Sequence, residues 1–267
     1  MKKNNGFLTG FMVAQLFKKN GEPEKKAGCG ETLFGLIILG VAIYIGVNFG
    51  ISGLIFTAIL CFIIIPLAFF LIKRQRNKNR VTTQEAYDLY SNGKYTLALE
   101  TVLPVTEKNP DAAYLAGHLY FYGLGCDLNY SKAYNYFKLG AAKNVDAKAM
   151  YAHMLIEGIG CDQDIDLGKS LLLQASARNN TFAMLKVGEY QLNGDYTFEK
   201  NVQSAMQKLR KAVDEGEPYA KFLVGVVLYE GKDGVSQNQD QGLFLLKAAA
   251  EADLQQAIDY LNKIYQS

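Results

Sequence analysis

The chain has 267 residues, 49% apolar and 20% charged, enough apolar material for one or two domains with a sizeable core. Its formal charge of +2 hides an asymmetry: residues 1–80 hold eleven Lys/Arg against three Glu, and residues 81–267 hold 17 Lys/Arg against 23 Asp/Glu. An acidic body excludes nucleic acid as the main partner, because phosphate binding needs positive charge on the folded domain. Cys29, Cys61, Cys126 and Cys161 are too few and too scattered for a disulfide scaffold, and no C-x-x-C pair offers a zinc or redox site.

Residues 1–31 read as a polar N-terminal tail. Phe7–Phe17 is apolar but interrupted by Thr9, Gly10 and Gln15, and no small-residue cleavage site follows, so it is not a signal peptide. A short amphipathic helix on a membrane surface is the expectation there. Ala27-Gly28-Cys29 is not a lipidation site, because Lys26 stands where an aliphatic residue is wanted.

From Thr32 to Ile72 there are 41 residues without a charge. One spanning helix needs about 20 apolar residues, so the run predicts two, at about 33–48 and 54–72. Asn48–Gly53 supplies polar and glycine residues for the turn between them. A re-entrant first helix is the alternative. Lysines precede the hairpin and Lys73, Arg74, Arg76, Lys78 and Arg80 follow it, while the turn is uncharged. Positive residues stay on the cytoplasmic side. The expectation is therefore an integral protein of a bacterial inner membrane, with both termini inside and residues 73–82 as a basic linker near lipid headgroups.

Beyond the linker the chain repeats itself. Asp111–Cys126 aligns directly with Asp146–Cys161, and Gly123, Gly158, Gly194 and Gly231 recur at intervals of 35, 36 and 37. Ala112, Ala147, Ala183, Ala220 and Ala257 keep the same beat. Each unit predicts two helices. The first, such as 111–122, stops at a glycine suited to a left-handed helix end. The second, such as 131–143, opens on a Ser131 cap and puts Ala133, Phe137 and Ala141 on one face. A single pair cannot bury its apolar face, so the pairs must stack.

Gly117-x-Leu119-Tyr120-x-x-Gly123-x-Gly125, followed by Lys132-Ala133 and Tyr136-Phe137-Lys138-x-x-Ala141-Ala142, resembles the Sel-1-like repeat, a relative of the tetratricopeptide repeat. The second unit is similar, the third loses its second glycine at Asp195, and the fourth has it displaced to Gly234. The resemblance implies an all-α, right-handed solenoid with four Sel-1-like units over 111–253. Residues 83–110 resemble a tetratricopeptide unit opening the stack, and 254–267 a capping helix. It also implies a scaffold that binds proteins or peptides, not an enzyme.

In that family the first helices line the concave surface. The columns left free there are His118, His153, Glu189, Val226; then Phe121, Ile156, Leu192, Tyr229; then Tyr122, Glu157, Asn193, Glu230, with Tyr114 extending the face. They predict an acidic, tyrosine-bearing groove with His118 and His153 exposed in it. An immunity or regulatory protein that neutralises an effector at the membrane is the alternative function.

No catalytic residue, metal, cofactor or small-molecule substrate is indicated. Asp162, Asp164 and Asp166 imitate the start of a calcium loop, yet Leu167 and Leu173 stand where glycine and glutamate are required. Those acids suit an inter-helix turn. Cys126 and Cys161 occupy equivalent repeat positions, too far apart for a disulfide, and are expected as small core residues.

Overall fold

A computed structural model describes residues 63–231 and 233–266. The expected tail, the amphipathic stretch 7–17 and the first hairpin helix lie outside these residues. Residues Thr82–Ser267 fall within one compact unit and the described part of Lys18–Val81 within another.

Every described element is helical. Helix α1 spans Ile65–Ser91 and α2 Tyr95–Val102, with a 3-10 turn at Leu103–Val105. Four pairs follow: α3 (Pro110–Tyr122) with α4 (Tyr130–Gly140), α5 (Val145–Glu157) with α6 (Ile165–Ala177), α7 (Thr181–Asn193) with α8 (Val202–Asp214), and α9 (Pro218–Glu230) with α10 (Gln239–Ala250). Helix α11, Gln255–Gln266, closes the stack. Residues 65–72 of the expected second hairpin helix and all of 73–82 belong to α1. Among the described residues no helix is long and apolar enough to cross a membrane.

The helix ends explain the beat of the sequence. Gly123, Gly158, Gly194 and Gly231 all take left-handed backbone, with φ of 64°, 66°, 79° and 67°, which a residue with a Cβ adopts at a cost. The starts are set by asparagine. Asn109, Asn144 and Asn180 cap the first helices of three pairs, their side-chain oxygens accepting backbone N–H bonds. Asn129, Asp164, Asn201 and Asn238 do the same for the second helices. The expected Ser131 cap is therefore corrected: Asn129 holds that place, and Ser131 Oγ instead donates to the Gly160 carbonyl at 3.2 Å.

Packing within a pair relies on glycine facing a large side chain. A Cβ on Gly117 would meet the Phe137 ring at 2.8 Å, and one on Gly188 would meet Leu209 at 2.6 Å. The fully buried Phe137 thereby reaches the α3 backbone; truncating such a ring costs about 3–5 kcal/mol. The core runs along the stack as consecutive clusters. One joins α1 and α2 to α3 through Ala86, Tyr90, Val102 and Leu119, and later ones centre on Met154, Leu172 and Leu209. This is the one-dimensional construction of a repeat solenoid, each pair covering its neighbour's apolar face.

Candidate protein-binding face

The caps of the first helices also tie repeat to repeat. While each asparagine oxygen caps its own helix, Asn109 Nδ2 donates to Thr83 Oγ1 at 2.8 Å. Asn144 Nδ2 donates to Asp111 Oδ1 and Asn180 Nδ2 to Asp146 Oδ1, both at 2.6 Å. One amide thus fixes both a helix start and the register of the preceding repeat.

Three of the predicted groove residues are core. Tyr114 is 2% exposed, and His118 and Ile156 are fully buried; none of the three is presented on an open surface. His118 Nδ1 lies 3.3 Å from the Tyr90 hydroxyl, and its ring packs against Tyr114 and Tyr122 at 6.1 Å and 4.6 Å between centroids. Burial holds its pKa down at about 3, so the imidazole is neutral. His153 is half-buried, and burial followed by the Lys186 charge lowers its pKa as well.

The acidic column is corrected too. Glu157 Oε1 accepts from the Tyr190 hydroxyl at 2.7 Å, and Oε2 from the Tyr196 hydroxyl at 2.8 Å. With its proton committed to Glu157, Tyr190 accepts in turn from His153 Nδ1 at 3.2 Å. Glu189 receives the Tyr219 hydroxyl at 2.8 Å on one oxygen and Lys186 Nζ at 2.9 Å on the other. Tyr260 donates to Glu230 at 2.8 Å. These carboxylates stitch successive repeats together rather than waiting for a ligand. The phenols respond accordingly. Tyr196 is pushed up to about 12, first by its bond to Glu157 and then by burial. Tyr190, Tyr219 and Tyr260 are raised further, with burial the larger cause. Phenols so held are donors, not acids, near neutrality.

Partly exposed aromatic surface remains on the first helices. Phe121 and Tyr122 pack edge to face at 5.0 Å, and Tyr229 lies 6.5 Å from Tyr260. Asn193 is exposed and donates to Asp195 at 3.0 Å. The sequence reading missed Tyr190, Tyr196, Tyr219, Tyr260 and Lys186. The only cue was the common separation of 30 residues between Glu189 and Tyr219 and between Glu230 and Tyr260.

On the other side, Asp164 caps α6 by accepting from Leu167 N at 3.0 Å, the turn role expected of that acidic run. Among the described residues no three His, Cys, Asp or Glu side chains converge as metal ligands. Cys126 and Cys161 are free thiols, half-buried rather than fully core, resting on the Leu119 and Met154 carbonyls at 3.8 and 3.5 Å. Lys73, Arg74, Arg76, Lys78 and Arg80 are all exposed on α1.

The profile of the Sel1 repeat matches four consecutive segments, 110–145, 145–180, 181–217 and 218–254. The chain belongs to the Sel1 repeat family. A Sel1 repeat protein from Oxalobacter formigenes is similar over 68% of this chain and 75% of its own, at 25% identity and a TM-score of 0.58. The protective antigen c5321 of uropathogenic Escherichia coli, described as displaying an SLR fold, is similar at 22% identity and a TM-score of 0.58. That likeness covers 74% of this chain but 44% of the antigen. No curated protein matches the chain. Sel1 repeat proteins are generally scaffolds that bind protein partners and typically carry no catalytic activity.

Proposed function

We propose that this Sel1 repeat protein is a membrane-anchored adaptor that holds a protein or peptide on the aromatic face of its first helices, around Phe121, Tyr122 and Tyr229. The observation behind the face is a division of labour. Glu157 and Glu189 have both carboxylate oxygens engaged within the stack, while Phe121, Tyr122 and Tyr229 keep part of their rings accessible. Amphipathic rings of this kind are favoured anchors in interfaces. The carboxylates hold neighbouring repeats in register.

The anchor rests on the uncharged run 32–72 and its basic flank. Leu67, Phe69, Phe70, Leu71 and Ile72 are each more than half exposed at the start of α1, immediately before Lys73. An apolar band left bare against a basic one suits the boundary between bilayer core and headgroups. The orientation places the repeats in the cytoplasm.

Capture of partners by the full chain in detergent tests the face: changing Phe121 and Tyr122 to alanine abolishes it, and unchanged capture contradicts the assignment. Reporter fusions after Arg80 and after Ser267 test the orientation, and a reporter active outside the cytoplasm at either place overturns it.

A further inference from the structure

The asparagine ladder stops at one joint. Asn109, Asn144 and Asn180 each cap a first helix and donate to the preceding repeat, at Thr83, Asp111 and Asp146. The next rung would join residue 217 to residue 182. Glu217 stands there at the start of α9, and Phe182 stands where Asp111 and Asp146 stood. Both ends of the rung have changed, so the start of α9 lacks the tie that fixes α3, α5 and α7.

Glu217 nevertheless sits deep in the joint. It is 2% exposed, its side chain makes no capping hydrogen bond, and its Oε1 has no hydrogen-bond partner among the described residues. From α8 the Ala212 carbonyl accepts its backbone N–H at 3.0 Å, which keeps the residue inside the α8–α9 turn. Lys186 of α7 and Lys221 of α9 favour its charge, as does the Tyr219 backbone N–H, and the charge acts in turn on the Tyr122 phenol of α3. Neither lysine forms an ion pair with it among the described residues; Lys186 is paired with Glu189 at 2.9 Å. Burial outweighs these effects and pushes the carboxyl up to about 7. A buried carboxylate without a bonded cation is costly, and a neutral carboxyl with one hydrogen bond unmade costs less.

We infer that Glu217 makes the joint between the third and fourth repeats sensitive to pH: α9 stays seated on α7 and α8 while the carboxyl is protonated, and its first turn opens to water once the carboxyl is charged. The opening is local. Val224 and Leu228 belong to an apolar cluster with Leu185 and Leu209, so the body of α9 stays in place. The direction follows from linkage. The carboxyl titrates near 7 in the folded chain against an ordinary 4.5, so its contribution is complete below the lower value and is lost as the pH rises through 7. His118, in the first repeat, acts in the opposite direction, losing stability toward acid. The inference holds whether or not the first-helix face binds a partner.

The test is amide hydrogen exchange of the full chain in detergent, read by mass spectrometry at pH 6 and pH 8, with rates corrected for the intrinsic effect of pH. Exchange at residues 217–222 should rise several-fold from pH 6 to pH 8, while the starts of α5 and α7, which keep their rungs, stay unchanged. In Glu217→Gln, equal in size and uncharged, the rise should vanish with helical content unchanged. Exchange at 217–222 that is the same at both pH values in the wild-type chain overturns the inference. So does a rise shared equally by the starts of α5 and α7, or one that survives in Glu217→Gln.

Discussion

The Tyr219 hydroxyl donates to Glu189 Oε1 at 2.8 Å across a repeat boundary, and Tyr260 repeats the contact on Glu230 one repeat later. A hydrogen bond to a charged group contributes about 1.5–3 kcal/mol. Tyr219→Phe and Glu189→Gln should each lower stability. Their double-mutant cycle should show a coupling of about 1–2 kcal/mol in urea unfolding, where independent sites would give none.

The asparagine caps separate two roles. Among the described residues Asn238 does no more than cap α10, accepting from Gln241 N at 3.0 Å, so Asn238→Ala should cost about 1 kcal/mol. Asn144 caps α5 and also donates to Asp111, so Asn144→Ala should cost about 1 kcal/mol more. Equal losses in thermal or urea unfolding would remove the inter-repeat role from Asn144.

Acid should loosen the first repeat through His118. Its folded pKa lies near 3, below its ordinary value, so the unfolded chain binds the extra proton. Stability from this residue is complete above about pH 6.5 and falls as the pH drops toward 3, by about 1.4 kcal/mol per unit. His118→Gln should flatten the loss between pH 6.5 and 5 by about 2 kcal/mol. A slope of stability on pH that is the same in the variant would show that the imidazole is not buried neutral.

Two glycines of one turn should differ in tolerance. Gly158 and Gly160 both have positive φ, but a Cβ on Gly158 meets nothing closer than 3.5 Å, whereas one on Gly160 falls 2.5 Å from the Tyr130 backbone. Gly158→Ala should cost about 1–2 kcal/mol from conformation alone. Gly160→Ala should cost clearly more, because the loop is pressed onto the start of α4. Similar melting temperatures for the two variants would contradict this.

The repeat was legible because its punctuation is local. A helix that ends in left-handed backbone selects glycine, and the spacing of Gly123, Gly158, Gly194 and Gly231 follows directly. The asparagine caps were equally local, at Asn109, Asn144 and Asn180, yet Ser131 drew attention two residues away from Asn129, the cap that matters. The face was harder. Position in the register told that His118 and His153 are equivalent, but not that Tyr90, Tyr114 and Tyr122 enclose the first. Glu157, Glu189 and Glu230 read as a free acidic column because their tyrosine partners lie 30 to 39 residues away, in helices whose approach only the folded stack defines. At Asp195 the lost glycine was visible, but not its consequence: Tyr196 and Thr197 take left-handed backbone there, and Tyr196 reaches Glu157.

The most direct test of partner holding is photo-cross-linking in living cells from single positions on the two sides of the stack. Positions 121 and 229 lie on the first helices; Leu139 and Leu173 are exposed on second helices. The account predicts discrete adducts with another protein, heavier than the chain alone, from 121 and 229 and none from 139 and 173. Adducts from 139 and 173 alone, or none from any of the four, would contradict it.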